Sequence, residues 1–321
     1  MKRVFLLLCF LCLTGSAAFA QQDARYTKFM FNKLVFNPAY AGSGDGLSLV
    51  GIGRYQWVNI DGAPRGATLS AHAPLDNINK KSGIGGWLEY DQLGVHQRIS
   101  LFADYSYSFI LGQATRLSLG ISGGGLYMRS DYTQLKQTGE FDPFTDPAFN
   151  NASNVYSKFL PNFGLGLYLY NTNKYYLGAS VPHLLDNKYG PTKIAHQFRH
   201  YHFMGGLVLG SESFKVHPSF LVKMVPQNAP VQLDANLLFF FKDAFYFGAT
   251  YRTPINNKDK LIDSESIDAL VGFAAKNGLR IGYAYDYTLS EINQFTSGSH
   301  EIMLGYNIAK QGYRVRTPRY F

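Results

Sequence analysis

Beyond residue 20 the chain has no cysteine: its 2 cysteines, Cys9 and Cys12, both fall in the first twenty positions, and neither sits in a lipoprotein-type cleavage context. The rest of the chain therefore carries neither a disulfide framework nor thiolate metal sites. Long apolar runs are also missing. No stretch supplies the roughly twenty apolar residues that a spanning helix needs. Charged residues are scarce, at 16% against about 25% in soluble domains. The net charge of +8 falls to +6 without Lys2 and Arg3. The remaining basic residues are scattered, with no basic helix or nucleic-acid motif, so no nucleic-acid partner is read. No nucleophile elbow or paired acidic motif stands out, which argues against an enzyme. Gly120-Ile121-Ser122-Gly123-Gly124 is not followed by a helical pattern, so it is not a nucleotide loop. No cofactor is expected.

What the chain has is a leader and a rhythm. Met1-Lys2-Arg3 precedes the apolar Val4–Leu13 and the small-x-small Ala18-Phe19-Ala20. That order reads as a secretory signal peptide over 1–20, cleaved before Gln21. Aromatics make up 16% of residues, with 23 Tyr and 25 Phe against 2 Trp. They concentrate in segments of strict alternation, of which Val95–Asp131 is the clearest. Ile99, Leu101, Ala103, Tyr105, Tyr107, Phe109 and Leu111 share one face, opposite Arg98, Ser100, Asp104, Ser106 and Ser108, with Phe102 as the exception. After a Gly112–Thr115 turn, Leu117, Leu119 and Ile121 alternate with Arg116, Ser118, Gly120 and Ser122. Period two means a strand with unlike faces, and strands of about ten residues can cross a bilayer when tilted. This is a transmembrane β-hairpin.

Similar segments recur over 46–57, 66–75, 82–91, 95–111, 115–131, 160–171, 174–183, 198–210, 214–226, 230–241, 244–254, 265–276, 279–289 and 299–308. The expected fold is all-β: a single transmembrane antiparallel barrel of about 14 strands after a cleaved signal peptide, the even number usual for bacterial outer-membrane barrels. Connections alternate short and long, although those at 91–94 and 227–229 are short for the outer side. The short set includes 112–115, 171–173, 211–213, 242–243 and Asn277-Gly278, a strong hairpin signal. The long set includes 58–65, 132–159, 184–197, 255–264 and 290–298. Short periplasmic turns and longer outer loops sort in this way, whereas a soluble sandwich has no reason to. Glycines inside strands, among them Gly120, Gly164, Gly166 and Gly178, are read as relieving crowding where a curved sheet bends. The domain reading is signal peptide 1–20, periplasmic N-terminal arm 21–45 with one short helix near Thr27–Leu34, barrel 46–308 and periplasmic tail 309–321.

Several stretches together carry a family resemblance. Gln21–Phe36 leads into Asn37-Pro38-Ala39-Tyr40-Ala41-Gly42, then Arg54-Tyr55-Gln56-Trp57 and Asp61-Gly62-Ala63-Pro64. Further on come Gly83-Ile84-Gly85-Gly86, Asp91-Gln92-Leu93-Gly94, Asp142-Pro143 with Asp146-Pro147, Leu160–Gly166 and the closing Arg316–Phe321. In order and spacing these resemble the PorP/SprF family of the Bacteroidetes type IX secretion and gliding-motility machinery. The resemblance spans essentially the whole chain past the leader. It implies a non-catalytic outer-membrane barrel that assists type IX secretion and anchors a secreted surface protein at the cell surface. The implied partners are the C-terminal region of a secreted adhesin, periplasmic secretion-system proteins and the lipid bilayer. The alternative is an outer-membrane channel or fatty-acid-type transporter, which should have an N-terminal plug and a continuous apolar path; the arm 21–45 is short for a full plug.

Candidate contact residues for the cargo lie on the longer-loop side. They are Arg54 and Trp57 at the end of the first strand, and Tyr132, Phe141, Asp142, Phe144, Asp146, Phe149 and Tyr156 in the 132–159 loop. An interfacial aromatic girdle with neighbouring lumen charge is the commoner reason for residues such as Arg54 and Trp57 at this place. The acidic positions lack the order of a calcium loop. His200 and His202 share a strand face and could bind a metal, though lumen or rim histidines are the commoner case, and no metal is assigned. Tyr320 and Phe321 are candidate assembly signals at the C-terminus.

Overall fold

Alternating side chains build a wall with an apolar outside and a polar or tiny-residue inside. The computed structural model describes residues 28–75, 81–134, 155–172, 174–189, 195–211, 213–226, 229–255 and 266–309. Its strands are β1 (Gly46–Tyr55), β2 (Arg65–Pro74), β3 (Ser82–Leu93), β4 (His96–Ile110), β5 (Thr115–Asp131), β6 (Val155–Asn171) and β7 (Tyr175–Val181). They continue with β8 (Tyr201–Leu207, resumed at Leu209–Gly210), β9 (Phe214–Val225), β10 (Ala229–Phe241) and β11 (Phe245–Ile255). β12 (Ser266–Ala274), β13 (Leu279–Thr288) and β14 (Ser299–Ala309) complete the set. Each pairs antiparallel with its sequence neighbours, β1 pairs with β14, and the ring closes as one fourteen-stranded barrel. Closure gives every strand a neighbour on both sides, so no strand lies with a whole side unpaired in lipid.

The outward face fits a bilayer. On β5 the outward positions from Leu117 to Tyr127 are apolar or glycine, and Arg129 follows. Ten residue steps at about 3.3 Å, tilted by about 40°, give a band roughly 25 Å tall. Ile99, Tyr127 and Phe159 face one another in register and form its upper row, with Gln97, Arg129 and Ser157 in the polar row above. No helix among the described residues is long and apolar enough to cross a membrane; the strands do the crossing.

Most sequence boundaries lie within a few residues of the strand ends. β1 stops at Tyr55 rather than 57 because the chain turns there, with Trp57 at φ 49° and the Gln56 N–H on Pro64 O at 3.0 Å. β6 begins five residues earlier than the 160 expected. Phe102 departs from the rhythm because it points inward and stacks on Trp87, with ring centroids 4.7 Å apart. The tight turn at Lys242-Asp243 has both residues at positive φ (49° and 54°), as a type I′ hairpin requires.

The N-terminal segment corrects the sequence reading. Expected as a periplasmic arm, it runs inside the barrel from Lys28 to Ser43, as three 3-10 turns (Phe29–Phe31, Lys33–Val35 and Pro38–Tyr40) rather than one helix. Residues 1–27, which include the expected signal peptide, and the tail beyond 309 lie outside the described residues.

Candidate functional site

The interior begins with the plug. Lys28, Phe29, Met30, Lys33, Leu34, Asn37 and Ala39 are all almost wholly buried. Asn37-Pro38 starts a turn: the Asn37 side chain accepts the Ala39 N–H at 3.0 Å, and Pro38 opens the last 3-10 turn. The same Asn37 donates through Nδ2 to Leu167 O on β6 at 2.8 Å, tying the plug to the wall. Phe36 O accepts from Ser180 Oγ at 2.5 Å, Ala41 O from Ser106 Oγ at 2.7 Å, and Asn32 Oδ1 from Ser70 Oγ at 2.7 Å. Two plug backbone carbonyls that no strand could satisfy, and one plug side-chain amide, are thus met by wall hydroxyls, as buried polar groups require.

The glycines on the inner wall have a second role. A Cβ on Gly120 would overlap the Pro38–Ala39 backbone, and one on Gly166 would overlap Asn37 Oδ1. Gly178 faces Asn37 Nδ2, at 2.9 Å from where its Cβ would stand. Gly42 (φ 69°) and Gly83 approach each other closely at the point where the plug leaves the lumen. These positions are cut to admit the plug, whereas the sequence reading assigned Gly120, Gly166 and Gly178 to curvature alone.

The two halves of the lumen differ. Toward the short turns, Phe29 and Met30 pack with Tyr168, Tyr176, Met204, Leu221, Leu238, Phe240 and Tyr246 in one apolar cluster. Each such fully buried side chain contributes about 1.5–3 kcal/mol. Toward the long loops the wall is ionic. Arg54 pairs with Asp286 and with Glu301 at 3.3 Å. Arg252 lies 2.9 Å from Asp234, 3.6 Å from Asp286 and 3.9 Å from Asp268. Lys223 sits 3.7 Å from Asp234. Lys28 joins this network from the plug, donating Nζ to Glu301 O at 2.8 Å and its backbone N–H to Glu301 Oε1 at 3.0 Å. Four carboxylates meet four cations, so the buried charges balance, the condition under which such groups are tolerated.

Between plug and wall remains a cavity of about 30 Å³, bordered by Phe36, Trp87, Arg98, His183, His202 and Lys223 among others. It has room for a water or two. His183, His200 and His202 neighbour one another, with ring centroids 5.8 and 6.4 Å apart. Among the described residues no group of three or more His, Cys, Asp or Glu is arranged to hold a metal.

The sequence-derived contact residues are distributed unevenly. Arg54 is buried in the lumen network. Trp57 sits at the long-loop rim, half-buried, with its backbone N–H on Ser299 Oγ at 3.2 Å. Tyr132 packs edge-on to His96, with centroids 6.1 Å apart, and Tyr156 opposes Ser130 in the β5–β6 ladder. These two flank the same loop, while Trp57 is separated from them by β2–β4. Phe141, Asp142, Phe144, Asp146, Phe149, Tyr320 and Phe321 lie outside the described residues. Lys28 and Glu301 were not singled out from sequence: an aperiodic plug leaves no signature of its own, and Glu301 is one polar position among many on the inner face of β14.

The sequence profile described as "Type IX secretion system membrane protein PorP/SprF" matches residues 18–306. The chain belongs to the PorP/SprF family. It is thereby a membrane protein of the type IX secretion system, and the barrel places it in the outer membrane. Among solved structures, the CymD monoaromatic hydrocarbon channel matches with a TM-score of 0.53 at 12% identity, over 92% of this chain and 96% of that one. The Acinetobacter baumannii outer membrane protein Omp33 matches with a TM-score of 0.49 at 7% identity, over 83% of this chain and 100% of that one. At such identities the likeness concerns the fold alone. No curated protein gives a match.

Proposed function

We propose that this PorP/SprF protein is a sealed, non-catalytic barrel that retains an exported protein at the cell surface, gripping the C-terminal region of an adhesin-type cargo from its long-loop face. The observation that carries this reading is the filled lumen. A barrel whose interior is occupied by its own N-terminal segment offers partners its rims. The long-loop rim faces outward by the usual sorting of turns. The 132–154 connection between β5 and β6 exceeds ordinary loop lengths, and loops of that size are more often functional. Tyr132 and Tyr156 flank it, and aromatic side chains dominate interface energies. Retention of this kind is non-covalent and asks for no nucleophile. Periplasmic secretion-system proteins would meet the opposite rim.

The competing reading is a channel for hydrophobic solutes. An N-terminal plug suits such a transporter better than the arm length suggested. A continuous apolar path does not follow from it, because the long-loop half of the wall is ionic and the cavity beside Phe36 has room for only a water or two.

The deciding experiment compares cargo on cells with cargo in the medium, using barrel abundance as the control. Replacing Phe141 and Phe144 by Ala should shift cargo into the medium while the barrel stays at its normal level. If that variant and a deletion of 135–154 both leave cargo on the cells, the long-loop face is not the anchor. Steady conductance of the purified wild-type protein in planar bilayers would favour the channel instead.

A further inference from the structure

β6 is paired along its whole length on one side and along less than half of it on the other. All of Val155–Asn171 opposes β5, whereas β7 takes up only Leu165–Asn171. Beyond that point the segment after β7 follows the edge without forming a ladder. It gives one backbone bond, from Leu184 N–H to Phe163 O at 2.9 Å. After that the contacts run through side chains: Asn187 Nδ2 donates to Pro161 O, and Lys158 Nζ to Lys188 O, each at 2.9 Å. The small hairpin of Asn187–Tyr189 with Ala195–Gln197 pairs with itself and forms a separate sheet.

Ladder geometry fixes which groups are left. In an antiparallel strand each residue points its N–H and C=O to the same neighbour, and successive residues alternate. Phe163 and Pro161 turn theirs away from β5, and the register runs on without a bulge, so Phe159 and Ser157 do the same. Among the described residues no strand or loop backbone takes up these groups of Ser157 and Phe159. Pro161 has no N–H to satisfy. Among the described residues the open edge therefore lies at the top of the apolar band and in the first polar row above it. Unpaired strand edges are templates for another strand.

We propose that this edge receives the exported partner, which adds an extended segment as a new strand beside Ser157 and Phe159. The inference rests on the retention reading above and names its mode. Donors and acceptors repeating every second residue match an extended backbone and neither a helix nor a side-chain surface. Specificity would come from alternate positions. The partner's outward residues lie beside exposed Phe159 and are apolar, while those turned to the other face meet Lys158 and are polar or acidic.

Past residue 20 the chain has no cysteine, so single-cysteine variants report cleanly. The cargo is first identified as the exported protein that appears in the medium when this barrel is deleted. S157C is then paired with cysteines scanned along the cargo's C-terminal segment. The expected yield oscillates with a period of two residues, and S211C, on the short-turn side, gives no crosslink. S157P and F159P remove only the outward N–H and leave the bonds to β5 in place. They should lower cell-bound cargo roughly tenfold at normal barrel abundance, and S157A should not. Full retention by both proline variants overturns the proposal, as does a crosslink scan without alternation. A dominant S157C–S157C crosslink would show that two copies pair edge to edge and would overturn it too. If deletion of the barrel releases no exported protein, the retention reading itself falls.

Discussion

Lys28 and Glu301, 273 positions apart, hold each other twice: Lys28 Nζ on the Glu301 carbonyl at 2.8 Å and Lys28 N–H on the Glu301 carboxylate at 3.0 Å. The same carboxylate takes Arg54 Nη1 at 3.3 Å. The start of the described plug is thus pinned to the last strand of the wall. Replacing Glu301 by Ala removes the carboxylate that Arg54 and the Lys28 N–H share, leaving Arg54 with Asp286 and Lys28 Nζ with the backbone carbonyl. Losing one partner of such a buried network costs about 3–5 kcal/mol. The wild-type barrel should be silent in planar bilayers, and E301A should show intermittent openings as the plug loosens. A silent E301A would mean that the wall hydroxyls and Asn37 hold the plug without this contact.

The fit between glycine and plug gives a second prediction. Gly120 faces the Pro38–Ala39 backbone, whereas Gly123, three residues on, faces outward with only the Phe163 ring near, about 3.7 Å from its would-be Cβ. G120A should destabilise by about 1–3 kcal/mol through overpacking, and G123A by less than about 0.5 kcal/mol. Urea unfolding in lipid vesicles measures both. Trp87, stacked on Phe102 in the lumen, serves as the fluorescent reporter. Equal effects would return Gly120 to the role of relieving curvature.

The wall was readable because a strand writes its two faces directly into alternate positions. β5 and β3 start where the pattern predicts, and most loops sort by length, the short connections from Leu93 to His96 and from Val225 to Ala229 on the long-loop side being the exceptions. Phe102 looked like an error in the rhythm, yet it points into the lumen and packs on Trp87. The plug was not readable, because 3-10 turns shaped by a surrounding wall carry no period. Its imprint was present in Gly120, Gly166 and Gly178 on the polar face, where curvature offered a sufficient explanation. Arg54 shows the same limit: its neighbours in sequence suggest a rim, and its partners Asp286 and Glu301 come from the far end of the chain.

The lumen network depends on balance. Arg252 faces Asp234, Asp268 and Asp286 and is almost wholly buried. R252M keeps the volume and removes the charge, leaving carboxylates short of a cation. It should cost about 3–5 kcal/mol, and the double variant R252M/D268N should recover part of the loss. Additive losses in the two single variants and the double would show that these groups act independently.

Asp104 is the reverse case. It is buried on the inner face of β4, and neither carboxylate oxygen has a hydrogen-bond partner among the described residues. Burying such a group is unfavourable, so D104N should be as stable as wild type or more stable by about 1 kcal/mol. A clear loss in D104N, measured by the same urea titration, would reveal a cation or proton donor that depends on this carboxylate.

The position of the bilayer can be tested one row at a time. Ile121 lies mid-band on the outward face of β5 and is more than half exposed, whereas Gln97 occupies the polar row above Ile99. An arginine at mid-band must carry its charge into hydrocarbon, at about 2–4 kcal/mol, while one near the interface costs about 0–1 kcal/mol. I121R should therefore unfold at markedly lower urea than Q97R, and L167R on β6 should behave like I121R. The comparison is internal to one barrel, so a general loss of assembly cannot mimic it. If Q97R were the more damaging, the membrane would have to sit nearer the long loops. The open edge at Ser157 would then lie in hydrocarbon, where a strand arriving from the cell surface could not reach it.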